Sequence, residues 1–150
     1  NKTIRVKREY AADLQLVWDA YTNSDILDQW WAPRPWKART QSMDFKEGST
    51  WRYYMEGPEG EKHYCRFDYK NIVPNEKYSG IDAFCDENGN ISNELPRMQW
   101  ETVFAESNGG TKVEVEITFA SEEDMTKILE MGSKEGFAAA HQNLDEILAK

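Results

Sequence analysis

The side chain best placed for acid–base chemistry in this sequence is His141, since imidazole titrates close to neutral pH. His141 follows Phe137 by four residues and precedes Leu144 by three, on the apolar stripe of an expected C-terminal helix. One interpretation is a buried histidine that bonds to a backbone carbonyl or a tyrosine hydroxyl. The other is a polar group in a cavity, where it orients a ligand or transfers a proton.

The second histidine, His63, lies two residues before Cys65, so both side chains share one face of an expected strand. The pair could form half of a metal site or a weak catalytic dyad. A complete zinc site needs about three or four protein ligands, and no C-x-x-C pair supplies the others. We therefore expect two moderately polar residues on a strand face and no metal site.

Motifs for covalent catalysis are missing from the sequence. It has no G-x-S-x-G elbow and no cysteine with an evident histidine partner. The carboxylates at positions 44, 47, 56 and 68 lack the spacing of a glycosidase-like pair, and the glycines fall in expected hairpins instead of preceding a helix. We assign no catalytic residue and expect no cofactor.

Tryptophans form the clearest pattern, because four of the six lie within nineteen residues: Trp18, Trp30, Trp31 and Trp36. Adjacent helical residues point about 100° apart, so Trp30 and Trp31 cannot share one helix face. We expect Trp30 to fill the core and Trp31 to line something else.

Three further rows of large side chains alternate along expected strands. The rows are Trp51, Tyr53 and Met55; Cys65, Phe67 and Tyr69; and Met98, Trp100, Thr102 and Phe104. Aromatic residues make up 13% of the chain, more than one covering helix can bury, and the surplus favours an aromatic-lined cavity. The predicted ligand-binding residues are Trp31, Trp51, Tyr53, Phe67, Trp100, Phe137 and His141.

Three arginines, Arg52, Arg66 and Arg97, alternate with these rows and should face outward toward surface acids. A register slip of one residue would turn an arginine inward, where it would select an anionic ligand.

Charge and composition exclude several classes of partner. The net charge is −9, with acids and bases interspersed, so the basic stripe required for nucleic-acid binding is missing. Nothing resembles the long apolar run of a membrane span, and an acidic surface disfavours anionic membranes. Two cysteines without a pairing motif are typical of a reducing cytosol, so we expect a cytoplasmic protein.

The elements that must position these residues follow from hydrophobic periodicity. Residues 3–10 alternate as a strand, and two short helices begin near Asp13 and near Asn23 or Ser24, the second ending before Pro33 and Pro35. Further strands are expected at 37–45, 50–56, 62–73, 77–85, 97–106 and 111–120. Ser121 opens a helix, Gly132 or Ser133 interrupts it, and a final helix covers about 134–148.

This order predicts a single α+β domain over residues 1–150. An antiparallel meander of six to seven strands and one long amphipathic helix bury each other best when the sheet curls around the helix. A cavity then remains between them, capped by the two short helices.

The element order resembles the START-like (SRPBCC, helix-grip) superfamily, which includes the Bet v allergens, polyketide cyclases and lipid-transfer domains. The local motifs resemble the branch named for the activator of the heat-shock protein 90 ATPase. They are VWDAYTNSDILDQWWAP, DFKEGSTWRYYMEGPEG, IVPNEKY, GGTKVEVEITF and LDEIL, which together span nearly the whole chain. The resemblance implies a helix-grip ligand-binding domain whose specificity resides in its cavity lining.

Two positions depart from the branch. Its members commonly carry Arg-Pro-Gly-Gly where this chain has Lys46-Glu47-Gly48-Ser49, and Gly-Trp where it has Gly136-Phe137. Both changes keep the turn and the aromatic plug, but a relative's ligand should not be transferred to this chain.

The leading hypothesis is therefore a non-enzymatic binding domain for a small hydrophobic or aromatic molecule, monomeric or homodimeric. One alternative is a cyclase- or aromatase-like enzyme with His141 or a tyrosine as acid or base. The other is a chaperone-associated protein–protein interaction module.

Overall fold

The structure is a computed structural model that describes residues 2–32, 35–92, 97–130 and 133–148, with the backbone alone described for 133–135. Its elements are β1 (Thr3–Tyr10), α1 (Leu14–Thr22), α2 (Ser24–Trp30), β2 (Lys37–Met43), β3 (Thr50–Glu56), β4 (Lys62–Val73), β5 (Lys77–Phe84), β6 (Met98–Ser107), β7 (Gly110–Phe119), α3 (Glu122–Glu130) and α4 (Ser133–Leu148).

The seven strands form one antiparallel sheet in the order β1-β7-β6-β5-β4-β3-β2. The sheet curves around the C-terminal helix, so the predicted α+β helix-grip fold is confirmed. Alternation sets the faces: in β7, Val113, Val115, Ile117 and Phe119 are buried. Between them, Glu114 and Glu116 face solvent.

Strand boundaries agree closely with the sequence periodicity, and the largest difference is at the end of β2. That strand stops at Met43, two residues before the predicted limit. The chain turns there because Phe45 packs inward, with ring centroids 4.8 Å from Tyr69 and 5.9 Å from Trp18.

Helix starts follow the predicted capping residues with one correction. Asn23 Oδ1 accepts a 2.9 Å bond from the Asp25 backbone N–H, and Ser121 Oγ accepts one of 3.1 Å from Asp124. Asp13 precedes α1 as expected, but its side chain makes no capping bond. The predicted stops at Pro33 and Gly132 lie outside the described residues. No helix in the described parts of the chain has the length and apolar character needed to cross a membrane.

Curvature of the sheet originates from local irregularities in its strands. Register shifts occur between Thr40 and Ser42 in β2 and between Tyr69 and Asn71 in β4. Such bulges bend a strand and increase its twist. Gly80 pairs with Tyr69 beside the second bulge, and a Cβ atom there would collide with the Asp68 carbonyl and the Phe67 ring. A residue without a side chain is therefore required at this bend.

Replacing Gly80 with Ala should destabilise the protein by about 2 kcal/mol, because the added methyl has a backbone carbonyl against it and cannot be accommodated by a rotamer change. Chemical denaturation would measure the loss. Ser79→Ala, one residue away on the opposite face, is the matched control and should stay within about 0.5 kcal/mol of the parent. Equal stability of the two variants would contradict this account of the bend.

Candidate ligand-binding cavity

A cavity of about 540 Å³ lies between the concave face of the sheet and helix α4. Its lining comes from five inner strands and β1, from α3 and α4, and from the segment after α2. The lining residues are Ile4, Val6, Arg8, Trp31, Trp36, Tyr53, Met55, His63, Cys65, Asp82, Phe84, Met98, Trp100, Ile117, Phe119, Ile128, Gly136, Phe137, Ala138 and His141. The volume and the largely apolar wall are typical of small-molecule sites.

Five of the seven predicted ligand-binding residues line this cavity: Trp31, Tyr53, Trp100, Phe137 and His141. The other two, Trp51 and Phe67, are buried but lie outside the lining. That any of these residues binds a ligand stays a prediction.

Trp51 is separated from the cavity by other rings. It stacks on Tyr53 with centroids 4.1 Å apart, and Trp31 lies edge-on against it at 5.5 Å. Phe67 packs against Tyr69 at 5.1 Å and Trp100 at 6.3 Å. Both residues support lining side chains from behind, because neighbouring rings cover them.

The two adjacent tryptophans diverge as the helical geometry requires. Trp30 is completely buried and donates a 2.8 Å bond from Nε1 to the Ala20 carbonyl, so it fills the core. Trp31 packs against it with ring planes at 74° and donates from Nε1 to the Tyr53 hydroxyl at 3.1 Å. The Trp31 bond ties the segment after α2 to strand β3.

His141 presents a neutral imidazole to the cavity. The ring is 1% exposed and packs against Phe137 at 4.1 Å and Trp30 at 6.0 Å. Burial, together with the positive charge of Arg8, lowers the pKa of His141 from 6.5 to about 4. Its Nε2 atom is buried and has no hydrogen-bonding partner among the described residues.

Asp82, which the sequence analysis missed, is a buried carboxyl group in the same wall. It is 8% exposed, and its Oδ1 atom finds no partner in the described part of the chain. Burial raises the pKa of Asp82 from 3.8 to about 7, although a bond from the Ala83 backbone opposes the shift. Alternation along β5 from Tyr78 through Gly80 places Asp82 on the inner face, so the sequence held a signal that could have identified it.

The third buried polar atom of the cavity-lining residues is Nε1 of Trp100, which makes no hydrogen bond within the described residues. Cavity-lining hydroxyl and thiol groups also lie nearby, on Tyr53 and Cys65. Burial raises the pKa of both well above their usual values, so both are protonated at neutral pH. A raised thiol pKa is the opposite of what a nucleophilic cysteine requires.

Arg8 is the second residue that the sequence analysis missed. It lines the cavity from β1, and its Nη2 atom donates to Asp145 Oδ2 on α4 at 2.6 Å. Arg52 and Arg66 face away from the cavity, where they donate to the Glu87 carbonyl and to the Asp68 carboxylate.

His63 and Cys65 both contribute to the lining. The described residues contain no group of three or more side chains arranged to hold a metal ion. His63 is exposed and packs edge-on against Trp36 at 5.2 Å, which marks where the cavity approaches solvent.

The curved sheet, the gripped helix and the internal cavity define a START-like (SRPBCC) helix-grip domain. A family model for activator of Hsp90 ATPase homolog 1-like protein matches residues 11–149, so the chain belongs to that family. No match was found among the curated proteins.

Solved structures from several bacteria share the fold. The crystal structure of protein Ms6760 from Mycobacterium smegmatis is 30% identical and covers 97% of this chain and 90% of its own, with a TM-score of 0.90. A solution structure from Arthrobacter aurescens is also 30% identical, with a TM-score of 0.93. The match covers 98% of this chain and 86% of that protein. A solution structure from Staphylococcus epidermidis is 23% identical and has a TM-score of 0.88. The match covers 99% of this chain and 90% of that protein, and it supports the fold alone.

Replacing Asp82 with Asn should change how stability depends on pH. The folded protein binds a proton at Asp82 that the unfolded chain releases, so the parent loses stability as pH rises from 3.8 through about 7. The variant lacks this loss, so its stability relative to the parent should increase by about 1 kcal/mol or more between about pH 5 and pH 8. Denaturant unfolding at both pH values measures the difference.

His141→Asn is the matched control, because its effect has the opposite sign. The folded pKa of His141 is lowered to about 4, so the parent loses stability as pH falls below 6.5, and the variant should lose less. A pH-independent difference between Asp82→Asn and the parent would contradict the buried, protonated state of Asp82.

Proposed function

We propose that this domain binds a small hydrophobic or aromatic molecule in the cavity and that it does so without catalysing a reaction. The observation that carries the proposal is the combination of a largely apolar 540 Å³ space with three buried polar atoms that lack partners in the described residues. Leaving a buried polar group unpaired costs roughly 1–3 kcal/mol, so a ligand that pairs with these atoms gains affinity from them.

The protonation states of the lining favour binding over nucleophilic chemistry. Cys65 and Tyr53 keep their protons because burial raises both pKa values. His141 Nε2 is buried without a partner in the described residues, and in the tautomer protonated at Nδ1 it would accept a hydrogen bond from a ligand. The ligand would enter beside Trp36 and His63, between the short helices and α4.

Proton transfer on a bound molecule is a second candidate function, in the manner of a cyclase or aromatase. One observation favours it: a carboxyl group with a pKa of about 7 shares a cavity with a neutral histidine. The acid and base of such an enzyme would then be Asp82 and His141. If a turned-over compound is found, Asp82→Asn should abolish turnover while binding persists.

A chaperone-associated role is suggested by the family name alone. The large hydrophobic side chains that the described surface exposes are Leu16 and Val103, which are too few for a sizeable apolar docking patch. We favour a cytoplasmic monomer or homodimer, in keeping with two free cysteines and a mean hydropathy of −0.81.

A neutral fluorescent probe, N-phenylnaphthylamine, should bind the domain with enhanced emission. Met98→Trp places a larger side chain in the cavity wall and should weaken probe binding about tenfold or more, because the ring occupies the ligand's space. Titration followed by fluorescence measures the affinity, and circular dichroism checks that the variant is folded.

The matched control is Gln99→Trp, which adds the same ring on the exposed face of the same strand. Its probe affinity should remain close to that of the parent. If the folded parent does not bind the probe, or if both tryptophan variants bind it equally well, the proposed cavity function is wrong.

A further inference from the structure

We propose that the ligand of this cavity is a hydrophobic amine, whose protonated nitrogen is held by the Asp82 carboxylate while its apolar body lies among the aromatic rings. This inference rests on the proposed function and names the chemical class that the cavity selects.

The first support is the position of Asp82, which has no cationic partner among the described residues. Asp82 lines the cavity from β5, and its Oδ1 atom is buried and unpaired within the described residues. Tyr53 on β3 and Cys65 on β4 are ionisable lining groups whose pKa values the charge of Asp82 raises, and both are neutral. An ionised Asp82 is therefore stabilised most by a cation that enters the cavity.

Four further neighbours among the described residues do not supply that cation. The charge of Asp68, on β4, raises the pKa of Asp82 further. Cys85, just after β5, is a thiol whose pKa is itself raised. On β6, the residue paired with Asp82 is Met98, which carries no charge. Across the cavity, His141 on α4 is neutral at physiological pH because its pKa is lowered to about 4.

The second support is the state of Arg8, the described arginine that lines the cavity. An anionic ligand would require its guanidinium, but Arg8 already donates to Asp145 at 2.6 Å. An acid would have to compete with that carboxylate, whereas an amine meets the Asp82 carboxyl group, whose Oδ1 atom has no partner among the described residues. The cavity therefore favours a cation over an anion.

The third support is the aromatic wall, since indole and phenyl faces attract ammonium groups. Trp31, Trp100 and Phe137 surround one another, with centroids 5.4 to 6.1 Å apart, and all three line the space. His141 Nε2 can accept a second hydrogen bond from a primary ammonium. The net charge of −9 also raises the local concentration of cations around the protein.

Amine binding should be linked to proton release from Asp82. The free protein is mostly protonated there at pH 5.5, whereas the complex needs the carboxylate, so amine affinity should rise about tenfold or more between about pH 5.5 and pH 8. A neutral ligand gains nothing from this ionisation and should not become tighter as the pH rises.

The experiment compares three compounds that share one ring system: naphthylmethylamine, naphthylmethanol and naphthoic acid. Each displaces bound N-phenylnaphthylamine, and its inhibition constant is measured at about pH 8. We expect the amine to bind about tenfold or more tightly than the alcohol, and the acid to bind least well, because an ion pair in a buried site outweighs a neutral hydrogen bond.

Asp82→Asn should remove the preference for the amine and leave the alcohol within about threefold of the parent. Asp44→Asn, which removes an exposed carboxylate paired with Lys46, is the matched control for net charge and should keep the preference. The pH series on the parent protein tests the same point without any variant, should Asp82→Asn fail to fold.

The two proposals fail in different ways. A parent protein that does not bind N-phenylnaphthylamine overturns the cavity function itself. A parent that binds the probe but is displaced equally well by the alcohol or the acid, or whose amine affinity does not rise with pH, retains the cavity function and overturns the amine assignment.

Discussion

Burial of two consecutive indoles in diverging directions is the constraint on which the rest of the structure depends. Trp30 enters the helical layer and bonds to the Ala20 carbonyl, while Trp31 reaches the sheet and bonds to the Tyr53 hydroxyl. Because the rings follow each other at the end of α2, both bonds fix the short helices against the concave sheet. The same backbone turn thus seals the core and forms one wall of the cavity.

The concave face is divided into a filled end and an open end. At the filled end, Trp18 and Tyr21 from α1 pack onto Tyr78 and Phe104, with ring centroids 5.0 to 6.1 Å apart where they meet. At the open end, the wall carries polar atoms of Asp82, Trp100 and His141 that have no partner among the described residues. Such atoms lower stability, and sites that sacrifice stability in this way are commonly functional.

The sequence predicts the fold well because its signals are local. Period-two alternation locates every strand of the sheet, and the helix starts follow from Asn23 and Ser121. The sequence cannot show which aromatic residues belong to the core and which line the cavity. Alternation reveals the strand face on which a side chain lies, but not how far along the curved sheet it lies from the cavity. Trp51 and Trp100 illustrate this, because both face inward and only Trp100 lines the space.

Asp82 and Arg8 escaped prediction for a different reason. A charged residue in an alternating strand is ordinarily assigned to the solvent face, and its burial depends on neighbours from distant strands. Arg8 belongs to β1, which reaches the cavity because it pairs with β7 at the edge of the curved sheet, and Arg8 meets Asp145 on α4. Alternation places Asp82 on an inner face, but the tertiary contacts that keep a charged residue there leave no local signature.

The central claim is that a ligand's cation takes the place of the proton on Asp82, and carbon NMR of the Asp82 carboxyl group tests it most directly. Without ligand, the carboxyl resonance should titrate with a pKa of about 7. With saturating naphthylmethylamine, this pKa should fall by about one unit or more, because the ammonium group stabilises the carboxylate. An unchanged or raised pKa in the complex would mean that the ammonium group does not pair with Asp82.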